Sequence, residues 1–89
     1  MSSFSIKITG KVQGVFFRQS AKEKALSLQL GGEVWNNADG TVGIVVTGNT
    51  EEVKEFIQWC HQGPPRARVQ EIEVNEVPER SFAGFIIRR

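Results

Sequence analysis

Residues 4–18 read FSIKITGKVQGVFFR, and this stretch decides how the chain begins to fold. Apolar and polar side chains alternate from residue 4 to residue 9, which is the pattern of a half-buried β-strand. Gly10 and Gly14 follow, and their unrestricted backbones allow the chain to turn back on itself. From Arg18 to Leu30 the apolar residues share one stripe, which predicts a helix. The stretch is therefore predicted to form a strand, a glycine loop and the start of a helix.

Several strand patterns follow this opening. Strands are predicted at residues 33–37, 41–46, 69–74 and 85–87. The first two are separated by Asn37-Ala38-Asp39-Gly40, which is rich in turn-forming residues and predicts a tight hairpin. In the third, the alternation of apolar residues slips between Val69 and Ile72, which predicts a β-bulge near Gln70.

The second helix has the clearest sequence signals. Its apolar residues recur at helical spacing, and they are Val53, Phe56, Ile57 and Cys60. Asn49 is predicted to cap its N-terminus, with Glu52 as the capping-box partner. Gly63-Pro64-Pro65 is predicted to end it, as Gly31 is predicted to end the first helix.

The predicted order is β-α-β-β-α-β with a short C-terminal strand, which is typical of a ferredoxin-like α+β fold. Residues 1–89 leave no room for a second core, so a single domain is predicted. Right-handed crossovers would place strands one and three in the centre of an antiparallel sheet, with both helices on one face, as a two-layer sandwich. Strand two would then run parallel to strand one. Gly10 and Asn36 would therefore lie at the same edge of the sheet, about 10 Å apart.

Composition narrows the class of protein. Of the 89 residues, 39% are hydrophobic and 24% are charged, as in folded globular domains rather than disordered chains. The net charge of +1 gives no field that would attract nucleic acid. RNA-recognition domains of this topology need aromatic residues on the open sheet face. The corresponding residues here are Ser5, Lys7, Thr9, Thr41, Gly43 and Val45. We therefore expect no nucleic-acid partner.

The N-terminus and the lengths of the apolar runs indicate the cellular compartment to expect. Met1-Ser2-Ser3-Phe4 lacks the basic and apolar regions of a signal peptide. No apolar run approaches the ~20 residues that a membrane crossing needs. The single cysteine, Cys60, excludes an internal disulfide bond. We expect a cytoplasmic monomer without membrane contact.

The glycine loop is a candidate anion site. Backbone N–H groups of residues 10–18 can converge on the oxygens of a small anion, and the following helix adds positive potential at its N-terminus. Arg18 adds a planar guanidinium fork. These features favour phosphate as the anion. On the pattern alone, an ordinary glycine turn with a surface Arg18 is the alternative.

Two motifs resemble the signatures of the acylphosphatase family. The first is Gly10-x-Val12-Gln13-Gly14-Val15-x-Phe17-Arg18, and the second is Asn36-x-x-x-Gly40-x-Val42 followed five residues later by Gly48. The chain departs from the family at Glu33, where an aromatic residue is usual, and at Trp35, where a basic residue is common. These departures are expected to affect the lip of the site and the substrate preference. The resemblance implies an enzyme that hydrolyses acyl phosphates, with Arg18 and Asn36 as its catalytic residues.

The residue types around the loop agree with that chemistry. The loop holds no Cys, His or Asp that could attack phosphorus, and no residue pair has metal-ligand spacing, so we expect no metal and no cofactor. Phosphate would be held by Arg18 and by backbone N–H groups, those of Gln13, Gly14, Val15, Phe16, Phe17 and Arg18. Asn36 would orient the attacking water. Such a site suits acyl phosphates, because a carboxylate leaves without an acid catalyst.

Two side-chain placements are also predicted. The Phe16 and Phe17 rings are predicted to pack beneath the loop rather than contact substrate. Trp35 is predicted to lie on the open face of the sheet, opposite the helices.

Two other functions remain open. A non-catalytic module that binds or senses small anions would share the phosphate cradle and lack turnover. A part of a larger carbamoyl-transferring enzyme is a further alternative, against which the length of 89 residues argues.

Overall fold

The computed structural model describes residues 1–88 and has the predicted order of elements, which confirms the ferredoxin-like α+β prediction. These residues form five strands and two helices, which are β1 (Ser2–Lys11), α1 (Phe17–Ser27), β2 (Gly31–Asn36), β3 (Val42–Gly48), α2 (Thr50–Cys60), β4 (Arg68–Glu76) and β5 (Phe85–Ile87). Within the described part of the chain, no helix combines the length and the apolar composition that a bilayer crossing requires.

The strands lie in the order β4-β1-β3-β2-β5, so β1 and β3 occupy the centre as predicted. Neighbours among the first four strands are antiparallel, whereas β5 pairs in parallel with β2. The sheet is therefore mixed rather than purely antiparallel. The reason is that the chain leaves β4 at one edge and returns at the opposite edge in the reverse direction, which is the direction of β2.

The predicted bulge lies where β4 meets the end of β1. Thr9 pairs with Glu71 and Gly10 with Val69, so Gln70 is the extra residue on β4. Gly10 has a φ of 135°, and an added Cβ would collide with the Arg68 carbonyl oxygen. The close approach of β4 therefore requires glycine at the point where β1 enters the loop.

The core lies between the helices and one face of the sheet. Its fully buried side chains come from both the sheet and the helix layer, and they include Ile6, Ile8, Val34, Ile44, Val53 and Phe56. The Phe56 ring lies 6.0 Å from Trp59 and 5.9 Å from Phe85, which joins α2 to β5. Cys60 is buried among these residues, and burial raises the pKa of its thiol. The thiol is therefore a packing group in the core.

The end of α1 differs from the prediction. Gln29, rather than Gly31, adopts the left-handed conformation that ends the helix, with a φ of 58°. The N–H groups of Gln29 and Leu30 bond to the carbonyls of Leu26 and Ala25 at 3.1 and 2.9 Å, which is a Schellman motif. Leu30 is buried, and its packing fixes the turn. Gln29 therefore adopts the left-handed conformation although it is not a glycine. Gly31 instead begins β2.

The start of α2 has the predicted Asn49 cap, whereas the capping-box bond predicted for Glu52 is not found among residues 1–88. The Asn49 side chain accepts a hydrogen bond from the Glu51 N–H at 3.0 Å. Two acidic residues, Glu51 and Glu52, lie in the first turn, where their negative charges interact favourably with the positive end of the helix dipole. At the other end α2 stops at Cys60, and Gly63 follows with a φ of 70°, as the Gly-Pro-Pro signal predicts.

Replacing Asn49 with alanine is expected to lower the free energy of unfolding by about 1 kcal/mol, because an N–H of the first turn loses its acceptor. Urea denaturation measures this change. Asn49→Ser should keep most of the stability, since serine is also a cap. Asn75→Ala, on the exposed side of β4, is the control. A loss from Asn49→Ala no greater than that of the control would contradict the capping role.

Candidate functional site

The end of β1 and the end of β2 open into one pocket. The pocket has a volume of about 340 Å³ and lies at the edge of the sheet where the glycine loop begins. Its lining residues come from the loop, α1, β2 and β5, and they are Val12, Gly14, Phe16, Phe17, Arg18, Gln19, Asn36 and Ile87. Because β3 lies between β1 and β2, the loop and Asn36 stand on either side of a gap, as the topology predicts.

The backbone of the loop has two residues in the left-handed region. Gly14 has a φ of 73°, and Phe16 has a φ of 64° with a ψ of 25°. Left-handed residues in a short loop turn N–H groups toward a common side, which builds concavities that bind anions. For a residue other than glycine this conformation costs about 1–3 kcal/mol, so the fold holds Phe16 there against a local penalty.

The start of α1 adds positive potential to the same pocket. Phe16 is the N-cap residue, and no side chain in residues 1–88 caps the helix at that point. Its first turn also carries no acidic residue. The N–H groups of that turn and the positive end of the helix dipole are therefore available to an anion. Arg18 lies in this turn, is half-buried and lines the pocket.

Gln13 joins the glycine loop to the β2–β3 hairpin. Its side-chain Nε2 donates hydrogen bonds to the carbonyl oxygens of Asn37 and Thr41, at 2.8 and 3.0 Å. The loop is thus tied to the turn that follows Asn36. From the sequence, Gln13 is predicted to act only through its backbone. No local signal could reveal the side-chain contacts, because the acceptors lie 24 and 28 residues further along the chain.

Replacing Gln13 with alanine is expected to lower the free energy of unfolding by about 1–3 kcal/mol, because two partly buried carbonyls lose their donor. Chemical denaturation monitored by tryptophan fluorescence measures the change. Gln58→Ala, on the exposed side of α2, should shift stability by less than about 0.5 kcal/mol. Equal effects of the two substitutions would show that the bridge from Gln13 adds no stability.

The hairpin after Asn36 is held by a network of short hydrogen bonds. The Asn37 N–H donates to the Thr41 carbonyl at 2.8 Å, and Asn37 Nδ2 donates to Thr41 Oγ1 at 2.9 Å. Thr41 donates to Asp39 Oδ1 from its hydroxyl at 2.6 Å and from its N–H at 3.0 Å. These bonds lower the pKa of Asp39 below its ordinary value. Asn36 is exposed and lies at the base of this hydrogen-bonded turn.

Glu33 and Trp35 belong to a cluster on the open face of the sheet. Trp35 lies over Gly43, its register partner, and its Nε1 donates to Asn37 Oδ1 at 2.9 Å. The Arg88 guanidinium lies 4.3 Å from the centre of the Trp35 ring and pairs with Glu33 at 3.1 Å. The open-face placement of Trp35 is therefore confirmed. Neither Glu33 nor Trp35 is among the described residues that line the pocket, so an effect on its lip would be indirect, through Arg88 and the neighbouring Ile87, and it stays a prediction.

The side chains of Phe16 and Phe17 lie in different environments. Phe17 is 2% exposed and lies 5.5 Å from the Trp59 ring, as the prediction of packing beneath the loop requires. Phe16 is 68% exposed and lines the pocket, so the same prediction is wrong for Phe16. The physical reason is the left-handed backbone of Phe16 immediately before the first helical residue, which turns the two neighbouring rings in different directions.

Potential metal ligands are not clustered in the part of the chain that the structure describes. Among residues 1–88 no group of three or more His, Cys, Asp and Glu side chains is arranged to hold a metal ion. The lone His61 is exposed at the end of α2, where its Nδ1 lies 3.1 Å from the Ile57 carbonyl oxygen. The polar groups that the pocket offers are thus an arginine, the side-chain amides of Asn36 and Gln19, and backbone N–H groups.

Comparison with known proteins gives one consistent result. The family model for acylphosphatase matches residues 4–87. An acylphosphatase of Rubrobacter xylanophilus is 46% identical over 84 residues, which cover 93% of this chain and 76% of the relative. The structure of an acylphosphatase from Coxiella burnetii has a TM-score of 0.95 at 36% identity, covering 98% of this chain and 92% of its own. The crystal structure of acylphosphatase from Bacillus subtilis has a TM-score of 0.96 at 31% identity, and both chains are covered completely.

The matched region contains both helices and every residue that lines the pocket. The likeness therefore extends to the part of the molecule where an anion would bind, and is not confined to the core. Sequence identity above 30% over nearly the whole chain accompanies the shared fold. This chain is an enzyme of the acylphosphatase family.

Proposed function

We propose that this enzyme hydrolyses acyl phosphates to a carboxylate and inorganic phosphate by direct attack of water on phosphorus. The observation that carries the proposal is the pocket itself. It joins an uncapped helix start and a loop with left-handed residues to Arg18 on one side and Asn36 on the other. Family membership supports the reaction class, and the geometry supports the roles of the residues.

The phosphoryl group would be held by the loop and by Arg18. N–H groups between Gln13 and Arg18 would donate to the phosphoryl oxygens, and the guanidinium would span two of them as a fork. Negative charge on these oxygens is redistributed as the bond to the leaving group lengthens. Donors that are already in place stabilise that charge without reorganising, so their hold tightens in the transition state.

Asn36 would position the water. Its side-chain amide offers an acceptor for a water proton and a donor for a phosphoryl oxygen. The water oxygen forms a bond to phosphorus while the bond from phosphorus to the acyl oxygen breaks, and that electron pair leaves with the carboxylate. The proton lost by the water passes to a phosphoryl oxygen. The hydrogen bonds of the hairpin restrain the backbone that carries Asn36, which would limit the entropy lost in placing the water.

The residues that line the pocket limit which leaving groups can depart, because they determine whether a proton can be supplied. Its lining holds no His, Cys, Asp or Glu among the residues that the structure describes, so no side chain there supplies a proton near neutral pH. An alkoxide is a poor leaving group and needs such a proton, whereas a carboxylate does not. Acyl phosphates are therefore the expected substrates, and alkyl phosphate monoesters are not.

The direct test is hydrolysis of benzoyl phosphate by the purified protein in excess EDTA, beside an alkyl phosphate monoester. Turnover of the acyl phosphate alone is the expected result, and the chelator tests the prediction that no metal is needed. Binding of inorganic phosphate is measured in parallel by calorimetry. Phosphate binding without turnover would overturn the proposal in favour of an anion-binding module.

A further inference from the structure

The pocket has an apolar side that the proposed chemistry does not use. Of its four apolar lining residues, Val12 and Phe17 are 1% and 2% exposed and belong to the core. Phe16 and Ile87 are different, because Phe16 is 68% exposed and Ile87 is partly buried. These two side chains therefore supply most of the apolar surface that a bound molecule could reach.

Phe16 is held in this position by the backbone. Its φ of 64° is one that glycine adopts freely and that a bulky residue adopts only under strain. This conformation turns the ring away from the core, into which the neighbouring Phe17 packs. At 68% exposure the ring buries little surface against the protein, so packing alone does not offset the backbone strain. Contact with a ligand would explain it.

Ile87 reaches the same pocket from the far side. It lies in β5, opposite Val34 of β2, which is two residues before Asn36. The neighbouring Arg88 ties this segment down, because its N–H donates to the Val34 carbonyl at 2.8 Å and its guanidinium lies over Trp35. The Glu33–Trp35–Arg88 cluster thus fixes the segment that carries Ile87 into the pocket wall.

The position of the phosphoryl group determines where the rest of a substrate must lie. If the loop N–H groups and Arg18 hold the phosphoryl oxygens, the acyl group is joined to phosphorus through a single oxygen and must lie within a few bond lengths of the loop. Phe16 is itself a loop residue, so its ring lies within reach of an acyl group in that position. A pocket of about 340 Å³ has room for more than a phosphoryl group.

We infer that Phe16 and Ile87 form the contact surface for the acyl group and make the enzyme selective for acyl phosphates with a large apolar or aromatic acyl group. The inference rests on the proposed function and adds the substrate class. An aromatic acyl group gains from removal of its surface from water and from contact with the Phe16 ring. An acetyl group is too small to gain much from either.

The test compares benzoyl phosphate with acetyl phosphate in Phe16→Ala and Ile87→Ala. For Phe16→Ala, the ratio of the two kcat/KM values, benzoyl to acetyl, is expected to fall about tenfold relative to the unaltered enzyme. Ile87→Ala should shift the ratio in the same direction by a smaller factor. Phe16 also contributes its backbone N–H to the proposed phosphate site, so the inhibition constant of inorganic phosphate is measured beside each ratio. Any change in phosphate binding should lower both kcat/KM values by the same factor and cancel in the ratio.

Two matched controls keep the result specific. Leu26→Ala removes an exposed apolar side chain of α1 outside the pocket, and Ile86→Ala removes the exposed neighbour of Ile87. Both should leave the ratio unchanged. Phe16→Gly relieves the backbone strain and should lower the ratio as Phe16→Ala does, because both variants lack the ring.

Several outcomes would overturn the inference. An equal fall in kcat/KM for benzoyl and acetyl phosphate in Phe16→Ala would mean that the ring supports the loop and does not contact the acyl group. No change in either kcat/KM value would mean that the acyl group lies elsewhere. Both outcomes leave the proposed function intact, since the unaltered enzyme would still hydrolyse both substrates. Failure of the unaltered enzyme to hydrolyse either substrate would instead reject the proposed function, and with it this inference.

Discussion

Replacing Arg18 with glutamine is expected to reduce the turnover of benzoyl phosphate by about 10³-fold or more. Glutamine keeps a polar side chain of moderate length but has neither the charge nor the planar fork of the guanidinium. Arg18 is half-buried at the first turn of α1 and faces the pocket, so its charge is less screened than that of a surface arginine. Steady-state kinetics at saturating and at low substrate concentration measure the loss.

The control for this substitution is Arg66→Gln. Arg66 is exposed and does not line the pocket, so its replacement removes the same charge without touching the loop. Phosphate affinity, followed by calorimetry, should fall with turnover in Arg18→Gln and stay constant in Arg66→Gln. A loss of turnover below about tenfold in Arg18→Gln would reject the proposed phosphate-holding role.

Replacing Asn36 with alanine is expected to lower kcat by about a hundredfold or more while phosphate affinity changes little. The reason is that different groups are expected to bind the phosphate and to orient the water. The loop and Arg18 hold the anion, whereas Asn36 stands across the gap made by β3 and would meet the water. Its backbone position is set by the hairpin network of Asn37 and Thr41, so alanine should leave the fold of the hairpin intact.

Two measurements separate the water-orienting role from a simple binding role. One is kcat for benzoyl phosphate, and the other is the inhibition constant of inorganic phosphate. Asn75→Ala, on the exposed edge strand β4, is the matched control and should leave both unchanged. If Asn36→Ala weakened phosphate binding in proportion to the rate, Asn36 would be a phosphate ligand and the proposed role would be wrong.

Much of the fold follows from local patterns that the structure confirms. Alternation of apolar residues placed the strands, and helical spacing from Val53 to Cys60 placed α2. Even the bulge at Gln70 was predictable, because a change of parity within one strand is visible in the sequence itself. The convergence of the glycine loop and Asn36 on one edge was predictable too, since it follows from topology. The catalytic roles of Arg18 and Asn36 remain predictions.

Other features could not be read from local patterns. Gln29 ends α1 because the burial of Leu30 outweighs the preference for glycine at that turn. The side chain of Gln13 bridges to the hairpin because the fold brings carbonyls from distant residues within its reach. In each case the deciding contact joins residues whose proximity only the assembled structure creates.

The order of the elements, the glycine loop and the acylphosphatase family can be read from the chain, because each depends on residues that are close in the chain or on their spacing. Two features arise only when the sheet and helices pack together: Phe16 faces the pocket while Phe17 enters the core, and Glu33, Trp35 and Arg88 form one cluster. The physical reason is that side-chain direction depends on the backbone conformation and the packing of the whole sheet. A pattern of neighbouring residues specifies which segment turns, whereas the assembled core specifies which way each side chain of that turn points.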